Sequence, residues 1–541
     1  MTEKHKWEKV ISSLMILALC TVAIGCGSTT APTEQPTAQQ EEPKAGGTIT
    51  VAINGELDTL DPHKSKFGIK VEQIGSLFGG SLLYLDPTTK ALRPYLAESY
   101  TLSEDKRKWT FKIRKGITFH DGSPVTAKSF KETFDRIINP DTGVGAAGVL
   151  MDGLKGAEAL DDETLILSFD EPTAPGFTYL SAPGIVQPLS IKAIEKAGDQ
   201  YGRQPVGVGP WKFAEWKTGE SMKFVRNDAF QWPEDFYQNK GAVKPDQLIL
   251  KFIQDTQTLN AALESGTVDI ATDLVGKDVK RFVNHPKFEV ISDLDSGLSL
   301  FLMLNLKDDR FKELSVRKAI SMAVNKEVLV KAVLQGEGSV AHSPLSPNIM
   351  GYDKESESYD YHYNLEESRK LLDQANWVPN AEGIREKGGK TLSTKLLINP
   401  KLALDAQLIQ SMMQEIGVKV VIEQLEETAY ATARHNGSFD MVLGSYYDPD
   451  PDILYTFFDS SQVSNFASVH DPKLEELVRK GRTIFDPEVR MPLYAEAQKL
   501  VIDQAYIVPI YVRKHFVVVN KRVKGVKFGN GRLLLNDAWV K

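Results

Sequence analysis

The chain has 541 residues, 42% apolar and 25% charged, with a formal net charge of −8. These are the proportions of a folded globular protein, and the acidic balance excludes a nucleic-acid partner and a polybasic membrane surface. Two cysteines in the whole chain exclude a disulfide framework.

Lys4, Lys6 and Lys9 precede an apolar run from Val10 to Ile24. That run is short for a spanning helix and suits a secretory signal, so residues 1–25 are read as a signal peptide. Ala23-Ile24-Gly25-Cys26 resembles a bacterial lipobox, with Ala23 where Leu is usual. Cleavage before Cys26 removes Cys20 and leaves one thiol, at the new N-terminus. A lone exported cysteine in that position is what lipid attachment requires, and Cys26 is the expected lipidation site. A diacylglyceryl thioether plus an amide-linked chain would supply the two anchors that stable membrane binding needs. Residues 26–47 are rich in Thr, Gln, Glu and Pro and lack large apolar side chains. They read as a tether, with a reach on the order of 25 Å.

Thr48 to Ile53 predicts the first strand, and Leu60-Asp61-Pro62-His63 a loop with a solvated histidine. Trp109, Phe111 and Ile113 alternate with polar residues, which predicts a strand with one buried face. His120-Asp121-Gly122 turns the chain. Thr126 then caps a helix whose apolar stripe is Phe130, Phe134, Ile137 and Ile138, ended by Asn139-Pro140. Gly207-Val208-Gly209-Pro210 predicts a tight crossing segment. It is no phosphate cradle, because the third glycine is missing and Pro210 has no N–H to donate. A helix ending at Gly266 precedes a strand, and Ser299 to Leu304 reads as a strand buried on both faces. Asn325 and Asn364 are placed to cap helices from Glu327 and Leu365. Ala403 to Ile416 predicts a helix, with buried strands at Val418 to Ile422 and Phe439 to Leu443. Helices alternating with buried strands define an α/β chain.

Three strings carry a family resemblance. They are Leu96-Ala97-Glu98-Ser99 with Trp109 to Gly116 and Phe119 to Ala127, then Pro205 to Phe213, then Ser315 to Lys326. Together they closely resemble the family-5 extracellular solute-binding proteins of bacterial ABC importers. The resemblance runs from about Gly47 to the C-terminus. It implies an α/β, two-lobed periplasmic-binding-protein-like (type II) fold with an additional third domain and a ligand cleft between the lobes. One lobe is expected over 47–75, 203–300 and 505–541, the extra domain over 76–202, and the other lobe over 301–504. The same resemblance places the Leu60–His63 loop near the cleft. It implies a receptor that passes short peptides to ABC permease subunits driven by cytoplasmic ATPases. A nickel chelate or an oligosaccharide is the alternative ligand within the family.

An enzyme reading fares worse. Ser103 and Lys106, Ser315 and Lys318, and Lys217-Thr218-Gly219 imitate the motifs of penicillin-recognising serine enzymes, but Lys-Thr-Gly should come last. Nine histidines show no ligand spacing, and no cofactor motif is present. Asp448, Asp450, Asp452 and Asp459 imitate a calcium loop, but Ile453 stands where that loop needs glycine. Recognition remains. In peptide-binding members of the family, an aspartate opening an Asp-Tyr-x-Asp-Pro-like loop pairs with the peptide ammonium. With Asp450-Pro451 matched to that Asp-Pro, Tyr447 stands in the aspartate's place and Asp448 beside it. Tyr446, Tyr447, Asp448 and Asp450 are therefore the candidate ligand-binding residues, in a loop too rich in aspartate and proline to be core.

Overall fold

The computed structural model describes residues 42–541 apart from 66–67, 143–145 and 275. Cys26, the signal peptide and most of the tether lie outside the described residues. Among the described residues a twelve-stranded sheet organises the chain. One half contains Leu298–Leu304, Met441–Tyr446, Ser393–Ile398 and Lys419–Gln424; the other contains Ile270–Leu274, Thr48–Ile53, Gln247–Phe252, Ser221–Arg226 and Trp211–Lys217. The 14-residue strand Ile507–Asn520 joins them. Its start pairs antiparallel with Leu300 to Met303, and its end pairs with Ile270 to Leu274 and with Phe288–Leu294. This strand, expected within the first lobe, thus belongs to both halves. Leu298–Leu304, also shared between neighbours, is buried at every residue, which matches its nearly continuous apolar string.

The string around Trp109 folds as its alternation requires. Lys108–Ile113 lies inside a four-stranded antiparallel sheet with Ala97–Leu102, Thr164–Phe169 and Leu154–Ala159. Trp109, Phe111 and Ile113 are buried, and the helix Ala127–Ile138 covers them with Phe130, Phe134 and Ile137. Thr126 is its N-cap, and the Ser129 hydroxyl accepts the Thr126 N–H at 3.2 Å. Ile138 departs from the expected stripe and stands 37% exposed, although its neighbour Ile137 is buried.

Glycines act where backbones touch. A Cβ on Gly207 would meet the Phe78 carbonyl oxygen at 2.0 Å, and the Gly209 N–H donates to that same oxygen at 2.7 Å. The crossing is as tight as its sequence suggests. Asn325 and Asn364 cap as expected, accepting the N–H groups of Val328 and Glu367.

Two expectations fail for a common reason, the identity of distant neighbours. Lys419–Gln424 is the edge strand of the sheet, and Val421 is 51% exposed rather than buried. His63 is not solvated: it is 2% exposed, and burial followed by the nearby Arg136 charge pushes its imidazole down to about 3. Beside it the Arg136 fork binds both oxygens of Asp61, at 2.9 and 2.6 Å, fastening this loop to the helix Ala127–Ile138. The loop Leu60–His63 lines neither of the chambers described next.

Candidate functional site

The chain passes between the two halves of the sheet at Leu294–Leu298 and again within Ile507–Asn520. A cavity of about 590 Å³ opens at these crossings. It takes Asn54 and Thr272 from one half, Leu298, Ser445 and Tyr446 from the other, and Arg513 and His515 from the joining strand. A second chamber of about 270 Å³ is walled by Leu85, Leu150, Ala182 and Ile185, with Asp448, Glu72 and Arg532 at its polar positions. Tyr447 lines both.

Backbone geometry seats this loop. Gly297, at φ +93°, lies against it so closely that a Cβ would meet the Tyr446 carbonyl oxygen at 2.2 Å and the Asp448 nitrogen at 2.5 Å. Only glycine takes that conformation there without strain. Tyr446 closes the strand Met441–Tyr446; its ring packs edge-on to Phe457 at 4.7 Å, and its hydroxyl accepts from Arg434 at 2.6 Å.

The aspartates divide sharply. Asp450 is fully buried: Arg490 donates to both its oxygens at 2.9 and 2.6 Å, and the Thr178 hydroxyl adds a third bond at 2.7 Å. Burial pushes its carboxyl up, but the Arg490 guanidinium prevails and holds it below the usual carboxylate range. Asp450 therefore braces the core and lines neither chamber. Asp452 is held by Arg482 at 2.8 Å and by the Tyr494 hydroxyl at 2.9 Å, yet burial still pushes it up to about 7. Asp459 is gripped by Arg479. Three of the four carboxylates of the apparent calcium loop, Asp450, Asp452 and Asp459, are thus buried and paired with arginines.

Asp448 differs. It accepts the Asp450 N–H at 2.8 Å and the Tyr179 hydroxyl at 3.2 Å, but no cation pairs with it among the described residues. Burial, and then the charges of Asp450 and Asp452, push its carboxyl well above the ordinary range, against the pull of the Asp450 N–H. A carboxyl in this state, lining a chamber and lacking a cation, is a candidate functional residue. Tyr179, Glu72 and Arg532 were not legible as site residues. The one hint was an arginine opening the apolar run Arg532-Leu533-Leu534-Leu535.

A two-part α/β scaffold crossed by shared strands, with chambers at the crossings, suits the binding of a solute. Residues 91–465 match the family model of bacterial extracellular solute-binding proteins, family 5, and the chain belongs to that family. It is 27% identical over 555 residues to the oligopeptide-binding protein AppA of Bacillus subtilis, covering 98% of each chain. It is 28% identical over 472 residues to heme-binding protein A of Haemophilus influenzae, covering 80% of this chain and 81% of the relative. The structure of B. subtilis AppA in complex with a nonapeptide superposes with a TM-score of 0.73 at 24% identity, over 92% of this chain and 100% of that one. The fold is accordingly the multi-domain type II binding fold. The family is one of binding proteins, so the chain is not an enzyme. The Ser103 hydroxyl donates to Asp105 and accepts the Lys108 backbone N–H at 2.9 Å, bonds that build an exposed turn. Among the described residues no helix is long and apolar enough to cross a membrane.

Proposed function

We propose that this chain is the lipid-anchored receptor of an ABC importer for short peptides, held through Cys26 and delivering its ligand to membrane permease subunits. The observation that carries the ligand class is Asp448, a half-buried carboxyl lining a chamber with no counter-cation among the described residues, while Asp450, Asp452 and Asp459 each have an arginine. A peptide ammonium supplies the missing charge. The relative named as oligopeptide-binding supports the same ligand class. Tyr447 and Tyr446 offer aromatic surface beside it, toward the larger cavity.

The raised Asp448 carboxyl makes binding a proton-linked event. In the empty protein it keeps its proton to a higher pH than a free carboxyl. An ammonium beside it favours the ionised form, so binding releases a proton, and affinity falls as pH drops and the carboxyl is harder to ionise. Titration calorimetry of the tripeptide Ala-Ala-Ala near neutral pH, in phosphate and in Tris, is expected to give heats that differ by the buffer ionisation heat times the protons released. Identical heats in both buffers would count against an ammonium at Asp448.

The anchor has its own test. Cys26→Ser should leave unlipidated precursor or protein released from the membrane, read by fractionation and mass spectrometry of the N-terminal fragment. Membrane-bound, correctly processed Cys26→Ser protein would refute the anchor.

A further inference from the structure

The smaller chamber contains a second charge without a partner. Arg532 is 5% exposed and lines it, at the start of the short strand Arg532–Leu534. Its Nε has no hydrogen-bond partner, and no carboxylate closes on its guanidinium as an ion pair among the described residues. Glu72, from the helix Gly68–Phe78, lines the same chamber and likewise forms no ion pair among the described residues. Burial pushes the Glu72 carboxyl up while the Arg532 charge pulls it down, so the two side chains sense each other without touching. The wall also contains the apolar Leu85, Leu150, Ala182 and Ile185 and the uncharged polar Thr178, Ser181 and Asn530.

A buried N–H without an acceptor is costly and calls for an explanation, of which a ligand that completes it is one. Here a buried donor without an acceptor and a half-buried carboxyl without a cation line one chamber, and no ion pair joins them. A group that both accepts and donates fits between them. A carboxamide does so without moving a proton, its oxygen accepting from Arg532 and its N–H donating to Glu72. A carboxylate also suits Arg532, with Glu72 then protonated. The chamber's 270 Å³ is ample for such a side chain, given that a cavity of about 150 Å³ admits benzene.

We propose that the chamber behind Tyr447 reads the first side chain of the bound peptide and selects one ending in a carboxamide or carboxylate oxygen, which Arg532 recognises. This rests on the reading that the ligand's ammonium sits at Asp448, which lines the same chamber and so directs the adjoining side chain into it. The selection sets Asn, Gln, Asp and Glu above aliphatic residues at that position, despite the apolar walls. A site built to hydrogen-bond a polar group discriminates strongly against an isostere that leaves its own polar groups unmet.

Asn and Leu have nearly the same shape, so Asn-Ala-Ala and Leu-Ala-Ala isolate the chemistry. Titration calorimetry of the wild-type protein should show Asn-Ala-Ala binding on the order of ten-fold tighter or more. In Arg532→Met that advantage should vanish. Equal or tighter binding of Leu-Ala-Ala to wild type overturns the proposal, and this comparison needs no variant that has to fold. An Asn preference that survives in Arg532→Met overturns the assignment to Arg532. N-acetyl-Ala-Ala-Ala separates the two layers of the argument. If it binds as well as Ala-Ala-Ala, the ammonium reading fails, whatever the first side chain does. If neither Asn-Ala-Ala nor Leu-Ala-Ala binds, both readings fall.

Discussion

Asp448→Asn is expected to weaken binding of a free-amine tripeptide thirty-fold or more and to leave binding of the same peptide N-acetylated almost unchanged. The Asp448 carboxyl has the Tyr179 hydroxyl at 3.2 Å and the Asp450 N–H at 2.8 Å, and its chamber is walled by apolar side chains. An ammonium brought into that setting is stripped of water and depends on the carboxylate for compensation. Removing one partner of such a pair typically costs about 2–5 kcal/mol, much of it from the charge left behind. An acetylated amine has no charge to strand. The empty protein should be almost indifferent, because its Asp448 is already biased towards the neutral acid that Asn resembles; the melting temperature without ligand should scarcely move. Titration calorimetry with both peptides decides the matter. Equal affinities of wild type and Asp448→Asn for the free-amine peptide would sink the ammonium site. Recovery of a ligand with no ammonium from gently purified protein would move the assignment to a chelate or a sugar.

Arg490→Met should destabilise the protein by about 3–5 kcal/mol, the usual consequence of leaving one member of a buried ion pair alone. Arg490 is 4% exposed, and its Nε donates to the Gly481 carbonyl at 2.8 Å while its two terminal nitrogens hold Asp450. Without it the Asp450 carboxylate retains Thr178 and the Asp452 N–H but has no counter-charge. The pair also makes stability depend on pH. The Asp450 carboxyl lies below its unfolded value, so its contribution is present above the unfolded carboxyl range and is lost as pH falls through the folded value. Urea unfolding at neutral pH should show the lower midpoint, and the deficit should shrink on acidification. Replacing both partners, Asp450→Leu with Arg490→Met, should recover much of the loss. A loss below about 1 kcal/mol in the single variant would mean that Asp450 is compensated by other groups.

The amino-acid sequence determined by itself whatever depends on residues close together in the chain. The alternation at Trp109 to Ile113, the caps at Asn325 and Asn364, the stop at Gly266 and the nearly continuous apolar string at Ser299 to Leu304 each state a local periodicity or a local hydrogen bond. The family was legible for the same reason, since its marks are short ordered strings. The tertiary structure alone decided which aspartate is spare. Asp448 and Asp450 look alike in sequence, and they part company because Arg490, 40 residues further on, reaches one of them and not the other. Likewise Arg136 met Asp61 across 75 residues and closed the environment in which His63 lost its water. Glu72, Tyr179, Asp448 and Arg532 share one chamber from four distant parts of the chain. Charge pairing and burial are set by distance in space, and no periodicity along the chain encodes them.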